Sequence, residues 1–181
     1  SQPLEESAYE IKPRSGGPKK VCLKFLDSLA PETTYTINFG NSIQDNNENN
    51  PLTFFSYTFS TGETIDSLYI RGNTKDAFSQ ESDEFISLQL YRVDSLFKDS
   101  IVFQDKPTYV ANTLDSTNYK FQNLKQGKYL LIALKDVDNN YFFDPFYDKI
   151  GFIDSLITLP RDSVIDLKLF KEETEIIWDK P

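Results

Sequence analysis

The chain contains no histidine. That absence removes Ser–His and Cys–His nucleophilic dyads, most zinc sites and the commonest general base. Cysteine is nearly absent too. The lone Cys22 excludes an intrachain disulfide, so stability must come from a packed core. Cations are scarce relative to anions, 19 Lys and Arg against 28 Asp and Glu, giving a formal charge of −9. This deficit argues against a nucleic-acid partner or an anionic membrane surface, since both need clustered Lys and Arg. No apolar run reaches the length of a transmembrane helix, and no signal peptide opens the chain. The opening, residues 1–10, reads as the interior of a longer polypeptide.

Aromatic residues are plentiful. Fifteen Phe and ten Tyr suit strands better than helices, and 181 residues are enough for one large domain or two small ones. Apolar and polar residues alternate over 19–25, where Val21, Leu23 and Phe25 share one face and Cys22 takes the polar one as an isolated thiol. The same period runs through 33–39, with Tyr35, Ile37 and Phe39 inward, and through 54–60, with Phe55, Tyr57 and Phe59 on one side. A short edge strand is expected at 9–12, and Thr61-Gly62 closes this block. Further strands are expected at 67–73 and 85–92, the latter with Ile86, Leu88 and Leu90 inward and Ser87, Gln89 and Arg92 outward. Shorter ones follow at 100–103, 108–112 and 119–121. Residues 128–134 are apolar on both faces, as in a central strand buried on both sides. Strands at 150–153, 156–159 and 164–170 complete the set. Turn signals recur about every ten residues and no segment sustains a helical period, which predicts an all-β sandwich architecture.

The run 31–50, PETTYTINFGNSIQDNNENN, followed by Tyr57-Thr58-Phe59-Ser60-Thr61-Gly62, resembles the last strands of the bacterial Ig-like domain of the S-layer type. That family has further strands ahead of the position of Lys19, so the resemblance implies a first domain, 1–62, that is incomplete at its N-terminal side. Residues 63–170 resemble a transthyretin-like, or carboxypeptidase-regulatory-like, sandwich. The carrying pattern is Tyr119-x-Phe121-x-Asn123-Leu124-x-x-Gly127-x-Tyr129-x-Leu131, read as a hairpin turn with Gly127 supplying a positive φ. Residues 171–181 read as a linker into a following domain. Two such sandwiches in tandem resemble part of a Gram-negative surface lipoprotein, which implies an extracytoplasmic, outer-membrane-anchored location.

One spacing could carry chemistry. Asp136-x-Asp138-x-Asn140 follows the central strand, with Asp144 and Asp148 beyond it. Oxygen ligands at alternate positions of a tight loop suit Ca²⁺, with Asp136, Asp138 and Asn140 ligating directly, Phe142 offering its carbonyl and Asp144 joining directly or through water. The loop departs from the EF-hand pattern, with Tyr141 at the position of the invariant Gly and Tyr147 at that of the bidentate Glu. The bland alternative is an Asx-rich turn with solvated carboxylates. The run 45–50, Asp45 to Asn50, invites the same idea but is consecutive rather than alternating. Tyr141, Phe146 and Tyr147 beside the loop could instead form a ligand platform, since Tyr presents a flat apolar face with a polar tip.

The leading functional expectation is a non-catalytic spacer or adhesion module of a bacterial cell-surface protein, working beside other domains of its chain and a cell-surface protein or glycan, with no cofactor beyond a structural Ca²⁺. A second is a glycan- or peptide-binding module using 136–148. A third is a hydrolase with carboxylates as acid and base, although no motif marks a pair.

Overall fold

The structure, a computed structural model, describes residues 4, 6–12, 20–45, 47–52, 55–79, 83–113, 116–160 and 164–171. The expected strand residues Lys19 and Phe54, and the linker from 172 onward, lie outside that set. The described elements are nearly all strands, and the chain divides between Asp66 and Ser67 into two compact units. Among the described residues, no helix is long and apolar enough to cross a membrane.

In the first unit a 3-10 turn, Glu6–Ala8, leads into β1 (Tyr9–Lys12), which pairs antiparallel with β2 (Cys22–Phe25). A second antiparallel ribbon joins β3 (Thr34–Asn38) to β4 (Ser56–Ser60), with Tyr35 opposite Phe59 and Ile37 opposite Tyr57. Strand alternation sorts the ribbon by polarity. One face carries Tyr35, Ile37, Tyr57 and Phe59, whereas the other carries Thr36 and Thr58 with their hydroxyls 3.2 Å apart. Phe59 is the organising side chain: Tyr35 stacks on it at 5.5 Å between ring centroids and Phe25 tilts against it at 5.8 Å. Tyr35 is thereby buried, but Phe55 and Tyr57, further along the same face, are exposed.

The second unit is a sandwich of two sheets. The smaller contains β5 (Leu68–Asp76) between β8 (Asn118–Leu124), antiparallel, and β12 (Leu167–Leu169), parallel. The larger orders β10 (Lys149–Phe152), β9 (Gly127–Lys135), β6 (Ser87–Arg92) and β7 (Tyr109–Asn112), and β11 (Ile157–Leu159) continues the β10 edge along the start of β9. Leu88, Leu90, Tyr129 and Leu131 from one sheet meet Ile70, Phe121, Leu124 and Leu167 from the other in one core cluster. Each such side chain contributes about 1.5–3 kcal/mol by leaving water.

The expectation for 128–134 was two-sided burial, and β9 has it. Its second face, with Ile132 and Leu134, packs with Tyr91, Val102, Phe143 and Ile150 in a separate cluster on the outside of the larger sheet. This outer cover corrects two readings. Ser87 and Gln89, placed outward by alternation, are buried. The strand expected at 100–103 is instead a one-turn helix, α1 (Ile101–Gln104), that sends Val102 down onto that face.

The turn before Gly127 also differs from expectation. Strands β8 and β9 belong to different sheets, so the connection crosses the sandwich rather than closing a hairpin. The positive φ, 57°, belongs to Asn123, and Asn tolerates that region better than most side chains.

Candidate functional site

The loop between β9 and β10, residues 136–148, is organised by its own carboxylates. Asp136 accepts the Asn140 N–H at 3.2 Å with Oδ1 and the Tyr141 N–H at 2.8 Å with Oδ2. Asn140 Oδ1 accepts the Phe142 N–H at 2.7 Å, and Asp144 Oδ1 accepts that of Phe146 at 2.9 Å. Asp148, buried at the loop's end, receives the Val137 N–H at 3.0 Å and the Asp144 N–H at 2.9 Å on its two oxygens. These are Asx-type turns, in which short side-chain oxygens replace backbone partners that a curving chain cannot otherwise find. Asn139 and Tyr141 sit at φ 54° and 69°, which the successive turns require.

Calcium ligation called for convergence of Asp136, Asp138, Asn140, the Phe142 carbonyl and Asp144 on one centre. Among the described residues no group of three or more His, Cys, Asp or Glu side chains is placed to hold a metal ion. Asp136 and Asp144 turn inward to the backbone, while Asp138 stands exposed at the tip. Asp148, outside the set of expected ligands, ties both halves of the loop together.

The run 45–50 behaves alike. Asp45 Oδ1 accepts the Glu48 N–H at 2.7 Å and the Asn47 N–H at 3.0 Å. The Glu48 N–H, the first of these, holds the Asp45 carboxyl below its ordinary pKa. Cys22 is a free, exposed thiol.

The loop is anchored to the outside of the larger sheet. Phe143 is buried, its N–H donates to the Val102 carbonyl at 3.0 Å, and its ring meets Phe103 at 5.5 Å. Beneath it the Tyr91 hydroxyl donates to Gln89 Oε1 at 2.8 Å. Burial pushes the Tyr91 phenol well above its usual pKa, and the charges of Asp105 and Asp136 add to the rise. A phenol held neutral in this way is a hydrogen-bond donor rather than a base.

Of the three aromatics expected at a ligand platform, Tyr141 is half-buried, and Phe146 and Tyr147 are exposed. The reading by alternation missed two further exposed rings, Phe78 and Phe85, on the connection between β5 and β6. Phe78 lies outside the strands expected from alternation, and Phe85 opens the run expected at 85–92 on the face opposite Ile86.

That connection is fixed to the same end of the sandwich by two cations. Lys149 Nζ, at the start of β10, donates to Asp76 Oδ2 at 2.7 Å and to Asp83 Oδ2 at 2.8 Å. Lys135 Nζ donates to the Glu84 carbonyl. The hydrogen bond from Lys149, followed by those from the Ser79 and Phe78 N–H groups, holds Asp76 far below the usual carboxylate range. Asp76, followed by Asp83, holds the Lys149 ammonium above its ordinary value.

Compared with known proteins, residues 3–61 match the family model of the bacterial Ig-like domain, and the second unit lies outside that match. No curated protein and no solved structure matches the chain.

Proposed function

We propose that this chain is a non-catalytic structural and adhesion module of a bacterial cell-surface protein, serving as a spacer or scaffold. The observation that carries the reading is the bacterial Ig-like match over residues 3–61, joined to a second all-β unit in the same chain. In this reading the second unit is a transthyretin-like sandwich, the first is one part of an Ig-like sandwich completed by further strands, and the module is held outside the cell on an outer-membrane anchor.

The chemistry of the side chains supports it. The chain lacks histidine, and the carboxylates and phenols turned inward are engaged in holding loops and sheets together. The Tyr119 hydroxyl, for example, is spent on the Ile165 carbonyl at 2.7 Å.

The test has two arms. Externally added protease should degrade the epitope-tagged protein on intact cells of its native host, and a panel of polysaccharides and esters should show no turnover above blank. Protection of the tag in intact cells sinks the surface location. Turnover that disappears on mutation of a carboxylate replaces the scaffold with a hydrolase.

A further inference from the structure

The outward face of the smaller sheet is basic, although the chain as a whole carries −9. Strand alternation sends Ile70 of β5 into the core and leaves Tyr69, Arg71, Asn73 and Lys75 exposed on the far side. In β8, Tyr119 and Phe121 point inward while Asn118, Lys120 and Gln122 are exposed. In β12, Leu167 and Leu169 point inward and Lys168 is exposed.

Register then sets cations side by side. Arg71 is opposite Lys120 in the antiparallel pair, and Lys75 is opposite Lys168 in the parallel one. Because β5 lies between β12 and β8, the four form a diagonal from Lys120 through Arg71 and Lys75 to Lys168. Arg71 and Lys75 are about 13 Å apart along the strand, and each step across strands is about 5 Å. Like charges directly opposite each other destabilise a sheet, and here they occur twice. Among the described residues no carboxylate stands within ion-pair distance of any of the four. Lys120 Nζ instead lies over the Tyr69 ring, 5.8 Å from its centroid.

One described carboxylate shares the face. Asp166 is exposed at the entry to β12, where its Oδ1 accepts the Asn73 N–H at 2.9 Å and the Asn73 amide at 3.3 Å. Four cations against this one anion leave a surplus of three positive charges. Asp83 and Glu84, on the connection that leaves β5, are drawn toward the larger sheet by Lys149 and Lys135. A sheet face that keeps two opposed like-charge pairs, in a chain with an excess of acids, is built for an anionic partner rather than for stability.

We propose that this face binds a linear acidic polysaccharide, with its carboxylate or sulfate groups lying along the diagonal. A single file of cations suits one chain carrying one row of anions. The exposed amides of Asn118 and Gln122 flank the file and exchange hydrogen bonds with sugar hydroxyls, and Tyr69 offers a ring face at one end. A protein partner is held by buried apolar anchors, and Val164, beside Arg71, is the one aliphatic side chain exposed on this face among the described residues. Anionic lipid is bound by clusters of roughly four to eight basic residues, which a surplus of three does not reach. Duplex DNA sets one charge per about 1.7 Å of axis against a chain whose own net charge repels it. The face adds a ligand to the scaffold reading and does not depend on it, since binding is measured on the purified chain.

The experiment is biolayer interferometry of the 181-residue chain on immobilised polygalacturonate, alginate and chondroitin sulfate, with dextran as the neutral control. Polyglutamate, duplex DNA and phosphatidylglycerol vesicles represent the other anionic sources. Binding is expected to at least one acidic polysaccharide and not to dextran, and it should weaken as salt is raised because exposed charges are screened. Affinity should fall at least tenfold in the double variant Lys120→Glu, Lys168→Glu. That variant turns both like-charge pairs into opposite ones, so its Tm should hold or rise while binding is lost. The neutral variant Lys120→Gln, Lys168→Gln should fall between the two in affinity, so that the loss follows charge rather than folding. Absence of binding to every acidic polysaccharide overturns the proposal. So does equal binding to dextran, binding confined to polyglutamate, DNA or vesicles, or unchanged affinity of the glutamate variant.

Discussion

Asp148 has little contact with solvent and gives one oxygen to each half of the loop that it closes. Hydrogen bonds to a charged group contribute about 1.5–3 kcal/mol each, and removing the acceptor leaves two N–H groups without their partner. Asp148→Ala is therefore expected to destabilise the second unit by about 3 kcal/mol, with Asp148→Asn losing less because an amide oxygen still accepts. Urea unfolding of both variants decides it, and an unchanged midpoint for the alanine variant refutes the assignment.

The Lys149 pair makes a pH prediction. The Asp76 carboxyl is depressed from its ordinary value of 3.8, so its contribution is complete above that value and is lost as pH falls through the folded value. Lys149 is raised from 10.5, so its contribution is present below that value and is lost only as pH rises through the higher folded one. Asp76→Asn keeps an oxygen for the Phe78 and Ser79 N–H groups while removing the charge. The Tm gap between wild type and this variant should be widest from about pH 5 to 10 and should close in acid. A gap independent of pH rules the ion pair out as its source.

At this scale the sequence located the loop but not its lone pairs. Asp-x-Asp-x-Asn reads equally as ligands meeting on a cation or as oxygens turned onto nearby N–H groups, and only backbone curvature chooses.

Among elements, the last strand depends on two glycines. On Gly72 in β5 a Cβ would overlap the Ile165 carbonyl oxygen, and on Gly151 in β10 it would stand 2.7 Å from the Lys168 carbonyl oxygen. The Ile165 N–H bonds the Arg71 carbonyl at 2.9 Å, and Ile150 and Phe170 exchange two backbone bonds at 2.8 Å each. The chain around β12 therefore runs from one sheet to the edge of the other, and both approaches need a bare α-carbon. Gly72→Ala should cost about 3 kcal/mol, at the upper end for overpacking, because a rigid backbone atom rather than a flexible side chain must move. Denaturant unfolding measures this, and a loss under about 1 kcal/mol would mean that the strand yields easily.

Alternation in 164–170 announced this strand, but neither its parallel pairing with β5 nor its bond to β10 was legible. The first joins residues 93 positions apart and the second joins Ile150 to Phe170 across two intervening connections, and neither separation leaves a local signal. The turn before Gly127 misled for a related reason. Flanking aromatics and a glycine mark a reversal equally well whether the chain returns within one sheet or crosses to the other. The outer cover of the larger sheet was hidden too, because a four-residue helix has no period to detect, and so Ser87 and Gln89 gave no sign of their burial.

For the whole chain, the two units differ in how much they bury. Both hydrophobic clusters of fully packed side chains belong to the second unit, where Ile70, Leu88, Leu90 and Leu131 have no surface in water. The first unit, among its described residues, has two two-stranded ribbons and buries Tyr35 and Ala8 among its apolar side chains. A two-stranded ribbon is marginal in water unless its apolar face is covered, and opening free energies scale with the contacts that must be broken. Amide exchange followed by mass spectrometry should therefore separate the units. Peptides from β6 and β9 should exchange slowest, at the rate of global unfolding of the second unit, and peptides from β3 and β4 much faster. Tyr57→Ser should leave the β6 and β9 rates unchanged, since that ring is largely exposed and belongs to the other unit. Equal protection of β4 and β9 would mean that the face bearing Phe55 and Tyr57 is covered in solution, and a strand layer supplied by another polypeptide segment would then be the cover to look for.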